Sequence, residues 1–244
     1  MSTKTAIKNI FALDTVGNEL SVAWISQGVM YSWQQQADRQ GDILALALQQ
    51  ISAKTGGVWS DLDLIVVNIG PGGFTGLRVG VAALQAIALA HNIALWQLSS
   101  LQGTAAQYYW HACYGECTDV WPVVNQAAKL ITQSYYVLQD ARMQELYAGI
   151  YGIENGIAQA QMPDRLYNYS QAAQTRALYP NSKQIGNGWS CINEADCEAE
   201  KHWTWAQAAV MSAYVSAQQD DLQLTAATAV RANYLRVQVA KKAR

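Results

Sequence analysis

The sequence reads as an α/β protein made of a βββαβα unit used twice, and three observations carry that reading. Three strand-like segments follow one another near the start and lead into alternating helical and strand-like stretches. Asp14, Glu19 and Leu20 recur as Asp140, Glu145 and Leu146, all at one offset of 126 residues (14 to 140, 19 to 145, 20 to 146) and at equivalent points of two hairpins. A glycine-rich corner, Asn68-Ile69-Gly70-Pro71-Gly72-Gly73-Phe74-Thr75-Gly76-Leu77-Arg78, joins an apolar strand to an apolar helix.

Lys8–Asp14, Glu19–Ser26 and Val29–Gln35 form the first meander, with turns at Thr15–Asn18 and near Gln27-Gly28. Asp38–Lys54 places apolar residues at 43, 44, 46, 47, 48 and 51, the spacing of a broad helical face, and stops at Gly56-Gly57. Leu62–Ile69 is a β-branched run of the kind covered on both faces. A helix follows over 75–90, with Thr75 as its expected N-cap, then a strand at Ile93–Leu98 and a helix at Leu101–Ala112.

Beyond a less regular stretch from Tyr114 to Gln133, strands are expected at Tyr135–Asp140, Glu145–Ile153 and near Gln159–Met162. A helix near Gln171–Ala177, a strand and turn at Lys183–Trp189, a helix at Trp205–Ser216 and a basic end at Lys241–Arg244 complete the chain. The expected division is 1–112 for the first lobe and 113–244 for the second.

In the corner, glycine supplies positive φ and Pro71 fixes its own φ while biasing Gly70 toward extended backbone. Free N–H groups at the helix start suit a phosphate or carboxylate. This makes Asp14, Thr15, Gly70, Gly72, Gly73, Thr75 and Gly76 the candidate nucleotide or anion loop. The nucleotide fingerprints match poorly: the third glycine of G-x-G-x-x-G would fall at residue 75, which is Thr75, and no Gly-Lys-Ser/Thr follows. A corner that holds no ligand fits the same residues.

Charged residues make up 14% of the chain against about 25% in average soluble domains, while hydrophobic residues reach 51%, so apolar surface is available for a partner. The net charge of −2 gives no broad attraction to nucleic acid, and RNA contact needs a local basic patch. The apolar segment Ile10–Leu13 is too short for a secretory signal, so a cytoplasmic location is expected. No Asp, Glu, Lys or Arg occurs from Val79 to Gly115, yet the most apolar part, about fourteen residues, ends at His91-Asn92. That is short of the roughly twenty a membrane span needs. Cys113, Cys117, Cys191 and Cys197 lack paired C-x2-C spacing, which favours free thiols over zinc.

Ala12-Leu13-Asp14-Thr15 with Ser21-Val22-Ala23, GPGGFTGLRVG at 70–80, Asp140-Ala141-Arg142-Met143-Gln144-Glu145-Leu146-Tyr147, Gly186-Asn187-Gly188-Trp189 and Tyr234-Leu235-Arg236 together resemble the TsaB (YeaZ) family. These are glycoprotease-like subunits of the bacterial machinery for threonylcarbamoyladenosine in tRNA. The resemblance implies duplicated actin-like lobes of the ASKHA, ribonuclease H-like class. Departures from the family pattern fall at Gly73, at Asp38-Arg39-Gln40-Gly41 and at Ala232.

The resemblance further implies a non-catalytic scaffold or activator that binds a TsaD-like catalytic subunit. A TsaE-like ATPase is a possible additional partner, a homodimer forms when the chain is alone, and tRNA is met only through the complex. No cofactor, metal or membrane is implied. TsaD carries paired histidines four apart; four residues either side of His111 lie Gln107 and Gly115, and His91 and His202 stand apart, so that metal pair is missing. Docking is expected through the helices 38–54 and 75–90, at Ile43, Leu44, Leu46, Ala47, Leu77, Val81, Leu84, Gln85 and Ala88. The competing reading is an ATP-dependent small-molecule kinase or an active glycoprotease-like hydrolase of the same superfamily, with Gly186-Asn187-Gly188 as its second phosphate loop. Asp14 then handles Mg²⁺ and phosphate rather than serving as a turn residue.

Overall fold

The computed structural model describes residues 7–36, 40–123, 132–192, 203–218 and 222–236. Asp38 and Arg39, residues 124–131 of the connection between Cys113 and Gln133, Cys197, His202 and the basic end Lys241–Arg244 lie outside the described residues.

The first sheet takes β1 (Ile10–Asp14), β2 (Glu19–Ser26), β3 (Val29–Gln36), β4 (Leu64–Asn68), β5 (Ala94–Leu98) and β6 (Val120–Pro122) in the order β5-β4-β1-β2-β3-β6. The meander is antiparallel, and β1-β4 and β4-β5 are parallel, joined through helical crossovers as parallel neighbours require. The second sheet, β10-β7-β8-β9, repeats the plan with β7 (Ser134–Asp140), β8 (Glu145–Glu154), β9 (Ile157–Asn168) and β10 (Lys183–Ile185), and β10 is parallel to β7. This is the duplicated actin-like arrangement that the motifs imply.

Two-residue periodicity sorts the strands into three cores. Ile10, Ala12, Leu64 and Val66 point to one side of the first sheet, and Phe11, Leu13, Ile65 and Val67 to the other. Tyr135 and Val137 of β7 face the same central core as Ile10, while Tyr136 and Leu138 face a third cluster under α4 (Tyr169–Leu178). The layers are therefore α1 (Gln40–Thr55) with α2 (Phe74–His91), the first sheet, α3 (Ser100–Tyr114) with α5 (Trp205–Gln218), the second sheet, and α4.

α3 is buried along nearly its whole length because sheets or helices meet it on several sides. It meets α5 tightly at Gly103, where a Cβ would lie 1.8 Å from Nε1 of Trp205.

Several expectations need correction. α2 begins at Phe74 with Gly73 as N-cap, not Thr75, because the corner turns one residue pair earlier. The third strand of the second lobe runs to Asn168, far beyond Met162, since it pairs along all of β8 through a bulge at Ala148–Tyr151. After Ile185 the strand gives way to a 3-10 turn at Asn187–Ile192. The packing also departs from the division at 112/113: β6 adds to the first sheet, α5 packs on β1 and β2, and Thr225 bridges to Leu95.

The duplication has a shifted register. Asp14 lies opposite Ser21, whereas Asp140 lies opposite Leu146, one residue short of the equivalent partner. Arg142, Met143 and Gln144, all with positive φ (65, 56 and 61°), make the second turn tighter.

α2 has the length and apolar composition of a membrane-crossing helix, and 33% of it is buried within this chain. Its buried residues pack on β4 and β1 in the second of the three cores.

Candidate functional site: the cleft between the lobes

The carboxyl ends of β1, β4 and β7 open together onto a cleft of about 750 Å³, the end of parallel strands where α/β proteins place ligands. Asp14 and Asp140 lie on its two walls, and Trp203, Trp205, Gln107 and Tyr108 also line it.

Both aspartates do the same local work. Asp14 accepts the N–H of Val16 at 3.0 Å and Asp140 that of Arg142 at 2.8 Å, so each closes the turn after its strand. Asn68 joins three elements: its Nδ2 donates to Asp14 at 2.8 Å, and its Oδ1 accepts the Gly70 N–H and the Ser100 hydroxyl, each at 2.9 Å.

The glycine corner is packed rather than open. Gly70–Pro71 is cis, and Gly70 has φ +88°. The Gly70 carbonyl accepts Ser100 N–H at 2.9 Å. Thr15 is buried and gives its hydroxyl to the Gly76 carbonyl at 2.7 Å, while a Cβ on Gly72 would sit 2.0 Å from Cγ1 of Val16. Of the seven anion-loop residues expected, only Asp14, Gly72 and Gly73 line the cleft. Thr15, Gly70 and Gly76 serve the corner's own packing, and Thr75 is exposed outside the lining. The proposed second loop is also packed: a Cβ on Gly186 would meet the Leu138 carbonyl at 2.2 Å, and Asn187 Oδ1 accepts the Asp140 N–H at 3.0 Å.

The docking residues expected on the helices also divide. Ala47, Leu77, Val81, Leu84 and Ala88 are core residues, filled in by the first sheet and the chain's own carboxyl-terminal segment. In the folded chain they have little or no surface to offer. Gln85 donates to the carbonyls of Ala227 and Val230 at 2.8 and 3.3 Å. Ile43 and Leu44 are half-buried, and Leu46 is 40% exposed. The outward stripe of α2 is instead Ala82, Ala86, Leu89 and Ala90.

Residues 227–236 cross the cleft as a strap, which the strand and helix patterns miss because it has neither periodicity; only the Tyr234-Leu235-Arg236 motif marked it. Asn233 N–H donates to the Ile69 carbonyl at 2.6 Å, Tyr234 accepts Nε of Arg78 at 3.1 Å, and Arg236 reaches the second lobe. There it donates to the Ala141 carbonyl at 2.9 Å and the Arg142 carbonyl at 3.2 Å and pairs with Glu145. Those contacts hold three successive left-handed residues that would otherwise cost energy.

A second link between lobes lies behind the cleft. Tyr151 donates to Asp164 and shares a hydrogen bond of 3.1 Å with Ser99, the N-cap of α3. Burial holds the Asp164 carboxyl above its ordinary range, with the Tyr151 and Ser99 hydrogen bonds opposing the rise. Burial, reinforced by Asp164, raises Tyr151 well above the usual phenol value.

No group of three or more His, Cys, Asp or Glu poised for a metal occurs among the described residues. Cys117 is pushed up to about 12 by burial and by Asp119, which leaves little thiolate for nucleophilic attack. Cys113 is buried.

The fold and cleft define a two-lobed, actin-like α/β protein. The family model described as "TsaD: tRNA N6-adenosine threonylcarbamoyltransferase" matches residues 36–193. The chain belongs to this glycoprotease-like family, on its TsaB (YeaZ) side.

Among curated relatives, it is 32% identical over 105 residues to the tRNA threonylcarbamoyladenosine biosynthesis protein TsaB of Bacillus subtilis, covering 43% of this chain and 37% of that one. It is 29% identical over 150 residues to the protein of the same name from Escherichia coli, covering 61% and 57%. The chain thus spans about half the length of the curated relatives it matches. The solved structure of YeaZ from Pseudomonas aeruginosa superposes with a TM-score of 0.75 at 21% identity, covering 94% of this chain and all of that one, a likeness of fold.

Proposed function

We propose that this chain is a TsaB-type subunit that takes part in threonylcarbamoyladenosine formation in tRNA by pairing with a TsaD-like catalytic subunit, without chemistry of its own. One observation carries the reading: α2 spends its inner face on its own core yet leaves Ala82, Ala86, Leu89 and Ala90 in solvent, and α1, which packs in the same layer, leaves Leu46 in solvent too. Leu89 is 60% exposed and Leu46 40%, which a low-charge chain gains by covering.

Two such helices laid against two from a relative make a four-helix contact. Each 100 Å² of apolar area covered contributes about 2.5 kcal/mol before association costs are subtracted. The same face pairs two copies when the chain is alone. A TsaE-like ATPase joins the pair, no cofactor is held by this subunit, and the assembly works in the cytoplasm.

The engaged corner and Gly186-Asn187-Gly188 loop speak against a kinase or hydrolase. Purified chain and TsaD-like subunit from the same cell are mixed with the threonylcarbamoyl adenylate and tRNA. Transfer is expected from the mixture and from neither protein alone; transfer by this chain alone overturns the reading.

A further inference from the structure

Phe74 and Tyr234 line the rim of the cleft, Arg78 lies against both, and Arg231 stands three residues before Tyr234 on the strap; neither arginine has a carboxylate partner among the described residues. Arg78 lies 3.7 Å from the centre of the Phe74 ring and bonds Tyr234, whose ring is 5.4 Å from that of Phe74. Both rings are well exposed, Phe74 at 40% and Tyr234 at 43%. A surface that leaves two aromatic rings partly in water, with a guanidinium on one of them and a second, bonded only to the carbonyls of Thr228 and Val230, along the same strap, offers stacking and positive charge together. Arg142, with its side chain 81% exposed, extends the same track across the cleft, although Asp140 offsets its charge at 3.3 Å.

We propose that this rim is a binding face for unpaired RNA. The bases stack on Phe74 and Tyr234 while Arg78 and Arg231 meet phosphates. Stacking rings and uncompensated arginines are the pairing used on single-stranded RNA, where every base presents a π-face. A net charge of −2 excludes a broad electrostatic hold, so the local patch carries the contact. The sequence beyond Arg236 adds Lys241, Lys242 and Arg244 and no acid, which matches the charge of the same ligand. The inference rests on the reading of the chain as part of a tRNA-modifying assembly. It differs in giving this subunit its own RNA contact, at the amino-terminal end of the same outward face of α2 that Ala82, Ala86 and Leu89 continue.

The test is fluorescence anisotropy of the full chain with a labelled RNA stem-loop and, separately, a blunt RNA duplex, over a range of salt. The stem-loop is expected to bind more tightly. Arg78→Ala with Arg231→Ala lowers its affinity by about tenfold or more and flattens the slope of log affinity against log salt by about 1.5, two phosphates' worth. Phe74→Ala removes the preference for the loop, about tenfold. Lys8→Ala, at the opposite end of β1, leaves both unchanged.

No stem-loop binding at low salt, or a slope indifferent to the double variant, overturns the proposal. So does loss of the TsaD-like subunit by the double variant with RNA affinity intact, which makes the rim a protein contact. Pairing is scored in parallel by size-exclusion chromatography, so failure of the subunit reading appears as unpaired chain that still binds the loop.

Discussion

Gln85 on α2 donates its Nε2 to the carbonyl of Ala227 at 2.8 Å, across 142 residues of sequence. This polar side chain in the middle of the helix therefore holds the chain's own strap. Gln85→Ala leaves the Ala227 carbonyl without its side-chain donor and the Val230 carbonyl with Arg231 alone, and is expected to lower stability by about 1–3 kcal/mol. Urea unfolding measures it, and an unchanged midpoint would mean the strap is held elsewhere.

Leu84 is fully buried beneath the same helix. Leu84→Arg places an unpaired charge in the core and is expected to cost about 3–5 kcal/mol, enough to leave the chain largely unfolded by circular dichroism. A folded Leu84→Arg chain would contradict the inward placement of that face.

Gly103→Ala puts a methyl group where Trp205 lies, and the indole is buried and donates to the Ser99 carbonyl at 3.4 Å. The overpacking is expected to cost about 1–3 kcal/mol, seen as a lower thermal midpoint. A second substitution, Trp205→Leu, is expected to recover part of the loss, which a cost in helix propensity would not do.

Asp164 gives stability a pH dependence. The unfolded carboxyl titrates near about 3.9, and burial raises the native value above that. Between the two values the native state keeps a proton that the unfolded state has released. This contribution is complete below the unfolded pKa and is lost as pH rises through the native one. Asp164→Asn keeps an acceptor for Tyr151 and is expected to remove that fall, so urea midpoints of the two chains diverge as pH rises from 4 to neutrality. Parallel curves would show that the carboxyl is not perturbed.

Much of this was legible because it rests on local rules. Alternation in β1 and β4 separates Ile10, Ala12, Leu64 and Val66 from Phe11, Leu13, Ile65 and Val67, and the recurrence of Asp14 as Asp140 marks the two strand ends that meet at the cleft. What sequence patterns cannot express is which side of an apolar helix is already covered. Leu84 and Ala86 are equally plausible docking residues in one dimension, and only the strap bound by Gln85 and the sheet beneath separate them. The glycine corner is ambiguous in sequence for a related reason: glycine at 72 admits a phosphate or the methyl of Val16, and here Val16 lies where a Cβ would be. β6 escaped notice because three residues are too few for a period.

Pairing through the outward face of α2 is tested most directly by one titration, calorimetry of the full chain against the TsaD-like subunit of the same cell, repeated with Ala86→Arg and Leu89→Asp. Both side chains are exposed, so both variants are expected to fold as the parent does. The parent is expected to bind at one to one and each variant to lose at least tenfold in affinity. Undiminished binding by both folded variants would contradict the pairing face, and no binding by the parent would contradict the subunit role itself.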